Sequence, residues 1–365
     1  MPTKAPAKRG CQAPLDNAAV ESGRIPHSFD FLKREQRVGV NIAIPTFNRP
    51  SKLCDATLSF LQRQGVAMHR IHVFVAPTAV SPEASPEWYR YMNAMRDHNF
   101  EGVRLEPGGD GLTAQMRAIL RWAEPGAHVV CMTDDVTGIF EKKHHSNGKP
   151  YKSPLPNGSF DAVVKHAEEL MKASHCCAWS LSASRHALSM TTNSVSRKLG
   201  LLEGNLWGML ADASFVNMVK DPEAGVVWDV AWSLELWAKG YRFFRYRCLA
   251  TNTVYRLPGG LQTTQNAQER RERNNAQIRR LAEKHSGLIH FKEKPRASLN
   301  TMFYSFSAVG PEPLIMRRPK ALTTGRRFEG FALRAMTAAE RQRKKRGGHA
   351  ALPPPDKGRK RKVSG

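Results

Sequence analysis

His128-Val129-Val130-Cys131-Met132-Thr133-Asp134-Asp135 is the stretch that decides the fold: a short, mostly apolar, β-branched run that leads directly into two acids. Five such residues are too few for a helix and suit a strand buried on both faces. Working outward, Gly39-Val40-Asn41-Ile42-Ala43-Ile44 reads as another buried strand, ending at Pro45. Between Ser51 and Gln64 the residues Leu53, Ala56, Thr57, Phe60 and Leu61 keep a helical stripe, and Gly65 stops it. Ile71-His72-Val73-Phe74-Val75 is a second strand, Glu87 to Asp97 a helix, Gly102-Val103-Arg104-Leu105 a short strand, and Leu112 to Ala123 a helix. Four strands alternating with helices have the spacing of right-handed βαβ units. The expected fold class is therefore α/β, an open, mostly parallel, Rossmann-like sheet flanked by helices. Such sheets bind ligands beyond the carboxyl ends of their strands.

Downstream, Phe140 to Ser159 is polar, with Lys142-Lys143-His144-His145, and reads as a mobile loop. Asp161 to Ala173 is helical. Apolar segments including Cys176-Cys177-Ala178-Trp179 and Trp207-Gly208-Met209-Leu210 precede a helix from Trp228-Asp229 to Lys239, a strand at Phe243-Phe244 and a helix from Gln265 to His285. Three regions are expected: a loose leader over 1–36, one catalytic domain over 37–316 and a basic flexible tail over 317–365.

Charge supports that last boundary. The net charge is +24, and from Arg317 to Gly365 sixteen Lys and Arg face three acids, so +13 lies in this end. A basic, Pro- and Gly-rich segment with few aromatic residues buries too little apolar surface to fold alone, and is attracted to polyanions. A solubilising tail has the same composition. The six cysteines lack metal-ligand or disulfide spacing and read as reduced thiols. With neither a secretory leader nor an apolar run of about 20 residues, the expectation is a cytoplasmic protein with no membrane partner. Oligomeric state is not legible.

Four elements carry candidate chemistry. Asp134-Asp135 projects from the ligand-binding edge, and hard carboxylate oxygens suit Mg²⁺ or Mn²⁺ beside a departing diphosphate. Acids at a strand end also serve as caps or loop residues. Pro45-Thr46-Phe47-Asn48-Arg49 joins the first strand to the first helix, its polar residues placed for a base and ribose and Arg49 for phosphate. Pro50 at the helix start suits an ordinary turn equally well. Gly108-Gly109-Asp110-Gly111 allows close approach of a ligand, with Gln115 and Arg117 on the following helix; residues two apart do not share a helix face, so one of the two points at the donor. Asp229 opens its helix, where an acid can cap the helix or act as general base.

In this order the four elements resemble the GT-A glycosyltransferases, over roughly 38–250. More narrowly the chain is similar to the glycosyltransferases associated with TET/JBP-type dioxygenases, found in phages and some eukaryotes and thought to glycosylate oxidised pyrimidines in DNA; Gly259-Gly260-Leu261-Gln262 adds to that likeness. The resemblance implies a metal-dependent hexosyltransferase using a nucleotide-sugar donor of the UDP-glucose kind. It makes Asp135 the metal ligand, Asp134 the middle acid of a D-x-D motif, and Asp229 the base, with Pro45, Thr46, Asn48, Arg49, Gln115, Arg117 and Asp134 at the donor. Thr133 stands where the first acid is usual, and Trp228 where an acid often precedes the base. His285 or His290 would be a third metal ligand.

The implied acceptor is a 5-hydroxymethyl pyrimidine in double-stranded DNA. Arg270, Arg271, Arg273, Arg279 and Arg280 place positive charge on the last helix, and phosphate neutralisation gives sequence-independent affinity. Trp207 or Trp228 would stack on a flipped base, while Trp232 and Trp237 read as core. The rival readings are an enzyme of the same fold acting on a polysaccharide or protein, and a non-catalytic nucleic-acid-binding protein.

Overall fold

The computed structural model describes residues 40–76, 85–184, 186–191, 194–218, 227–253, 267–291, 304–307, 314–317 and 332–334. The expected leader, most of the expected tail and the Gly259–Gln262 stretch lie outside them.

The apolar runs form strands and the amphipathic runs helices. Strand β1 (Asn41–Thr46) is followed by a helix, α1, in three consecutive pieces, Pro50–Leu53, Cys54–Leu58 and Ser59–Arg63. The middle piece is a π-turn. Next come β2 (Ile71–Val75), α2 (Pro86–Asp97), β3 (Arg104–Pro107), α3 (Leu112–Trp122) and β4 (His128–Met132). β1 pairs in parallel with both β2 and β4, and β2 with β3, which is the alternating unit expected from the sequence.

The remaining elements are β5 (Val136–His144), β6 (Pro150–Pro154), α4 (Phe160–Ser174), β7 (Ala178–Ser180), β8 (Ser194–Ser196), β9 (Leu206–Leu210), α5 (Trp228–Ala238), β10 (Phe243–Tyr246), β11 (Leu249–Thr253), α6 (Ala267–Lys284), β12 (Ile289–Phe291), β13 (Tyr304–Phe306), β14 (Leu314–Arg317) and β15 (Ala332–Arg334). Among the described residues ten strands make one open sheet in the order β15-β14-β8-β10-β7-β9-β4-β1-β2-β3. Tracing the pairings, β9, β8 and β15 run against the other seven. The tail region thus contains one described strand, β15, paired with β14.

One expectation is overturned. Residues between Phe140 and Ser159 are not a loop: β5 and β6 form a hairpin, and β11 pairs with the root of β5 to make a second sheet. Lysines mask the strand period, yet Ile139 and Glu141 turn inward and Asn147-Gly148, with Gly148 at φ 78°, supplies the left-handed turn a hairpin needs.

The core sits on both faces of the large sheet. Ile42, Ile44, Val73, Val130, Cys131, Trp179 and Phe243 are fully covered. Cys54, Cys131, Cys176, Cys177 and Cys248 are all buried and unbridged, and burial pushes the Cys176 thiol up to about 11. Among the described residues no helix is long and apolar enough to cross a membrane. At the middle of the sheet, Trp179 on β7 lies opposite Gly208 on β9 and its Nε1 donates to His128 Nε2 at 2.9 Å. A methyl group at Gly208 would overlap that indole. Gly208→Ala is expected to cost about 1–3 kcal/mol through overpacking, read as a lower midpoint in urea unfolding.

Candidate active site

The site begins where β1 and β4 end. Beyond Met132 the ladder continues for one more bond, Thr133 N–H donating to the Asn205 carbonyl at 3.0 Å. This brings Thr133 beside the segment that enters β9. The chain then turns through Asp134-Asp135 into β5, and that turn is fastened from below by Thr57. The Thr57 hydroxyl donates to the Thr133 carbonyl at 2.9 Å and accepts from Val136 N–H at 3.0 Å. Thr57 lies in the π-turn of α1, the local widening that brings its hydroxyl to bear on the acid turn. π-turns inside helices recur at functional sites.

The two acids face different surroundings. Asp134 is buried, and both its oxygens are engaged: Thr46 Oγ1 donates to Oδ2 at 2.7 Å, and Arg49 Nη1 to Oδ1 at 3.3 Å. The relay continues inward. The Thr46 proton goes to Asp134, so at 2.7 Å it is the Tyr91 hydroxyl that donates to Thr46 Oγ1, while accepting from Arg49 N–H at 2.9 Å. Gln115 Nε2 donates to the Thr46 carbonyl at 2.7 Å. Thr46, Arg49, Gln115 and Asp134, expected at the donor, therefore hold one another and fix the loop between β1 and α1. Burial pushes the Asp134 carboxyl up to about 6 against the pull of Thr46 and Arg49. Asp135 is only half-buried, and its Oδ1 accepts from the Thr133 hydroxyl at 2.7 Å.

Between these strand ends and α5 lies a cleft of about 190 Å³. Pro45 comes from β1, Leu112 and Met116 from α3, and Cys131, Met132 and Thr133 from the end of β4. The far wall is Gly204, Asn205 and Trp207, with Trp228 and Asp229 from the first turn of α5. Helix α5 is clamped there by Ser233, whose hydroxyl donates to the Asp229 carbonyl and accepts from Leu202 N–H at 2.8 Å. Asp229 Oδ1 accepts from Val230 N–H at 2.9 Å, and burial pushes its carboxyl up to about 6. Trp207 and Trp228, 2% and 5% exposed, both line the cleft, and the Trp228 ring stacks on Trp232 with centroids 5.2 Å apart.

The other expected residues fall as follows. Asn48 adopts φ 54°, is exposed and accepts from Arg90 at 2.8 Å. Arg117 does not line the cleft, and its buried Nε has no hydrogen-bond partner among the described residues. The glycines before α3 approach the protein itself: a methyl at Gly108 would stand 2.9 Å from the Val75 carbonyl, and one at Gly109 2.6 Å from Ala114 Cβ. On α6, Arg273 and Arg280 are exposed, while the Arg279 guanidinium lies over the Phe291 ring at 4.6 Å. Arg270 and Arg271 belong to the same helix, with side chains outside the described residues.

The expected third metal ligand is corrected. His285 is buried against α5, its Nε2 3.2 Å from Glu235 Oε1, and His290 Nε2 lies 3.0 Å from Ser307 Oγ. Both are occupied with structural partners, and among the described residues no three His, Cys, Asp or Glu side chains gather to hold a metal.

No protein-family model matches the chain, and no curated protein matches it. Among solved structures it is similar to mannosyltransferase PcManGT from Pyrobaculum calidifontis, solved with GDP-Man and Mn²⁺, at 13% identity and a TM-score of 0.37 over 73% of this chain and 72% of that one. It is similar also to residues 1–349 of TarS from S. aureus, at 13% identity and 0.39 over 67% and 66%. A third is glucosyl-3-phosphoglycerate synthase from Mycobacterium tuberculosis, in complex with Mn²⁺, UDP and phosphoglyceric acid, at 8% and 0.39 over 75% and 88%. At these identities and TM-scores the likeness carries no functional argument.

Sequence reasoning missed Thr57, Tyr91 and Asn205. Thr57 was visible only as one member of a helical stripe, and Tyr91 only as one aromatic among Trp88-Tyr89-Arg90-Tyr91-Met92.

Proposed function

We propose that this chain is a metal-dependent GT-A glycosyltransferase that moves a hexose from a nucleoside diphosphate donor to a hydroxyl on modified DNA. The observation that carries the reading is Asp229. A carboxylate with its proton affinity raised to about 6 stands in the wall of a cleft at the carboxyl ends of β1 and β4, which is also lined by Thr133, two residues before Asp135. A general base works best with a pKa near the operating pH. In the proposed reaction Asp229 takes the proton of the acceptor hydroxyl, whose oxygen attacks the anomeric carbon. The bond from that carbon to the diphosphate oxygen breaks, and a single displacement inverts the configuration. Cleft volume supports this division of space: about 190 Å³ falls below the roughly 300–1,000 Å³ of whole-ligand pockets. It suits the sugar and the reacting hydroxyl, with the nucleotide lying over the β1–α1 loop that the Thr46–Tyr91–Asp134 relay fixes.

Asp135 fits a divalent ion of a particular kind. Mg²⁺ typically takes one or two carboxylates and completes its shell with water and substrate phosphates. A lone half-buried carboxylate, steadied by Thr133, suits an ion that arrives with the diphosphate rather than one resident beforehand. When bound, the ion neutralises the charge that develops on the leaving diphosphate.

The DNA acceptor is supported by the net charge of +24 and the exposed Arg273 and Arg280 of α6. The narrower resemblance, carried by the motif order and by Gly259-Gly260-Leu261-Gln262, points the same way. The test is transfer of label from radiolabelled UDP-glucose, with Mn²⁺, to DNA containing 5-hydroxymethyl pyrimidines beside unmodified DNA. Label confined to the modified DNA is expected. Transfer to a polysaccharide or protein acceptor in its place would keep the reaction class and overturn the acceptor.

A further inference from the structure

The β5–β6 hairpin begins at the residue after Asp135 and carries Lys142, Lys143, Lys149 and Lys152 with His144 and His145, against one acid, Glu141. Glu141 is buried, with Lys143 reaching it at 3.8 Å. Among the described residues Lys142, Lys149 and Lys152 have no carboxylate within ion-pair distance; Lys149 and Lys152 are exposed, while Lys142 Nζ donates to the Met190 carbonyl at 2.6 Å. Register sharpens the point. Lys142 and Lys152 lie directly opposite each other across the antiparallel pair, an arrangement that is destabilising for like charges. Partial burial, with the field of Arg247 added, holds the Lys142 amine below its usual range. Rules of local stability broken at one place commonly mark a functional surface.

Shape narrows the partner. β11 pairs with β5 from Val136 to Glu141, and Lys142 N–H adds one more bond to the Cys248 carbonyl at 2.9 Å, so beyond Lys142 β5 and β6 form a two-stranded ribbon. The tip, from His144 to Lys149, is exposed. The ribbon is stiffened by the His145 and Tyr151 rings, stacked at 4.2 Å, and by Lys152 Nζ 4.9 Å over Phe140. A two-stranded ribbon is one of the few elements that the major groove of duplex DNA admits, and the 5-substituent of a pyrimidine lies in that groove. We propose that the β5–β6 hairpin is the duplex-docking element of this protein, its exposed Lys149 and Lys152 neutralising backbone phosphates beside the cleft. This inference rests on the DNA-acceptor reading above and adds the surface that presents the duplex to the site.

The test compares the full-length wild-type chain with Lys149→Glu/Lys152→Glu in binding to a fluorescent 20-base-pair duplex across a salt series. Affinity at low salt is expected to fall at least tenfold in the variant, and the slope of log affinity against log salt to become shallower by about 2, near one per lost phosphate contact. The carboxylate introduced by Lys152→Glu would face Lys142, so the thermal midpoint is expected to hold or rise, which separates lost contacts from lost folding. Wild-type affinity and slope retained in the variant would overturn the inference while leaving the DNA acceptor in place. A wild-type chain with no affinity for duplex DNA would overturn the acceptor reading itself. A defect seen with anionic lipid vesicles but not with DNA would overturn the inference in favour of a membrane surface. UDP-glucose hydrolysis with Mn²⁺, measured in the same preparations, is expected to be equal in both proteins.

Discussion

Replacing Asp229 by Asn is expected to lower kcat by about 10²–10⁴-fold, the usual contribution of a positioned general base, while leaving the protein more stable at neutral pH. Both effects come from one cause. Burial raises the Asp229 carboxyl to about 6, so the wild-type fold holds an ionised acid in a poor environment above that pH. A folded pKa raised above the unfolded value stabilises at low pH and loses that contribution as pH rises through about 6. Asn keeps the acceptor for Val230 N–H and carries no charge. The variant should therefore gain on the order of 2 kcal/mol over wild type at pH 7.5, with the gap closing as pH falls from about 6 to about 4. Denaturant unfolding at the two pH values measures it. Wild-type kcat/KM should rise with pH through about 6, because only the ionised form takes a proton, and this limb should vanish from the residual activity of the variant. A variant with wild-type kcat would remove Asp229 from the mechanism.

The second large effect separates two neighbouring acids. Asp134→Ala is expected to destabilise the fold by about 3–5 kcal/mol, the range for removing one partner of a buried, hydrogen-bonded charge pair. It strips the acceptor from the Thr46 hydroxyl and the counter-ion from Arg49, and with them the tie between the ends of β1 and β4. Asp135→Ala removes a half-buried side chain whose recorded bond is to Thr133, and should cost less than about 1 kcal/mol. Its activity should nevertheless be abolished at any Mn²⁺ concentration. Thermal unfolding and a metal titration of donor hydrolysis distinguish them. Equal destabilisation by both substitutions would contradict the different roles assigned to these acids.

The frame was legible because the first four strands are short β-branched runs between clear helical stripes, and their order fixes which ends face a ligand. The place of Asp229 was legible for the same reason, an acid at the start of a helix following such strands; its role as base came only from the resemblance. What Asp134 does was not. An acid pair in sequence does not say which member turns inward, and that depends on Thr46 and Tyr91, 88 and 43 residues away. Thr57 was hidden because a helical stripe predicts burial, not the π-turn that aims one hydroxyl at the acid turn. The hairpin is hidden in the sequence because lysines on both strands mask the inward period, and Asn147-Gly148 is its one local signal. Its excess charge, which made it resemble a loop, is the property on which the proposed docking to duplex DNA rests.

Asp135 is expected to hold a divalent ion only together with the diphosphate of the donor. The most direct measurement is calorimetric titration of the full-length protein with Mn²⁺ alone, with UDP alone, and with UDP in the presence of Mn²⁺. The expected result is weak binding of each alone and at least tenfold tighter binding of UDP when Mn²⁺ is present, a gain lost in Asp135→Asn. UDP affinity that is indifferent to Mn²⁺, or a gain that survives in Asp135→Asn, would contradict it.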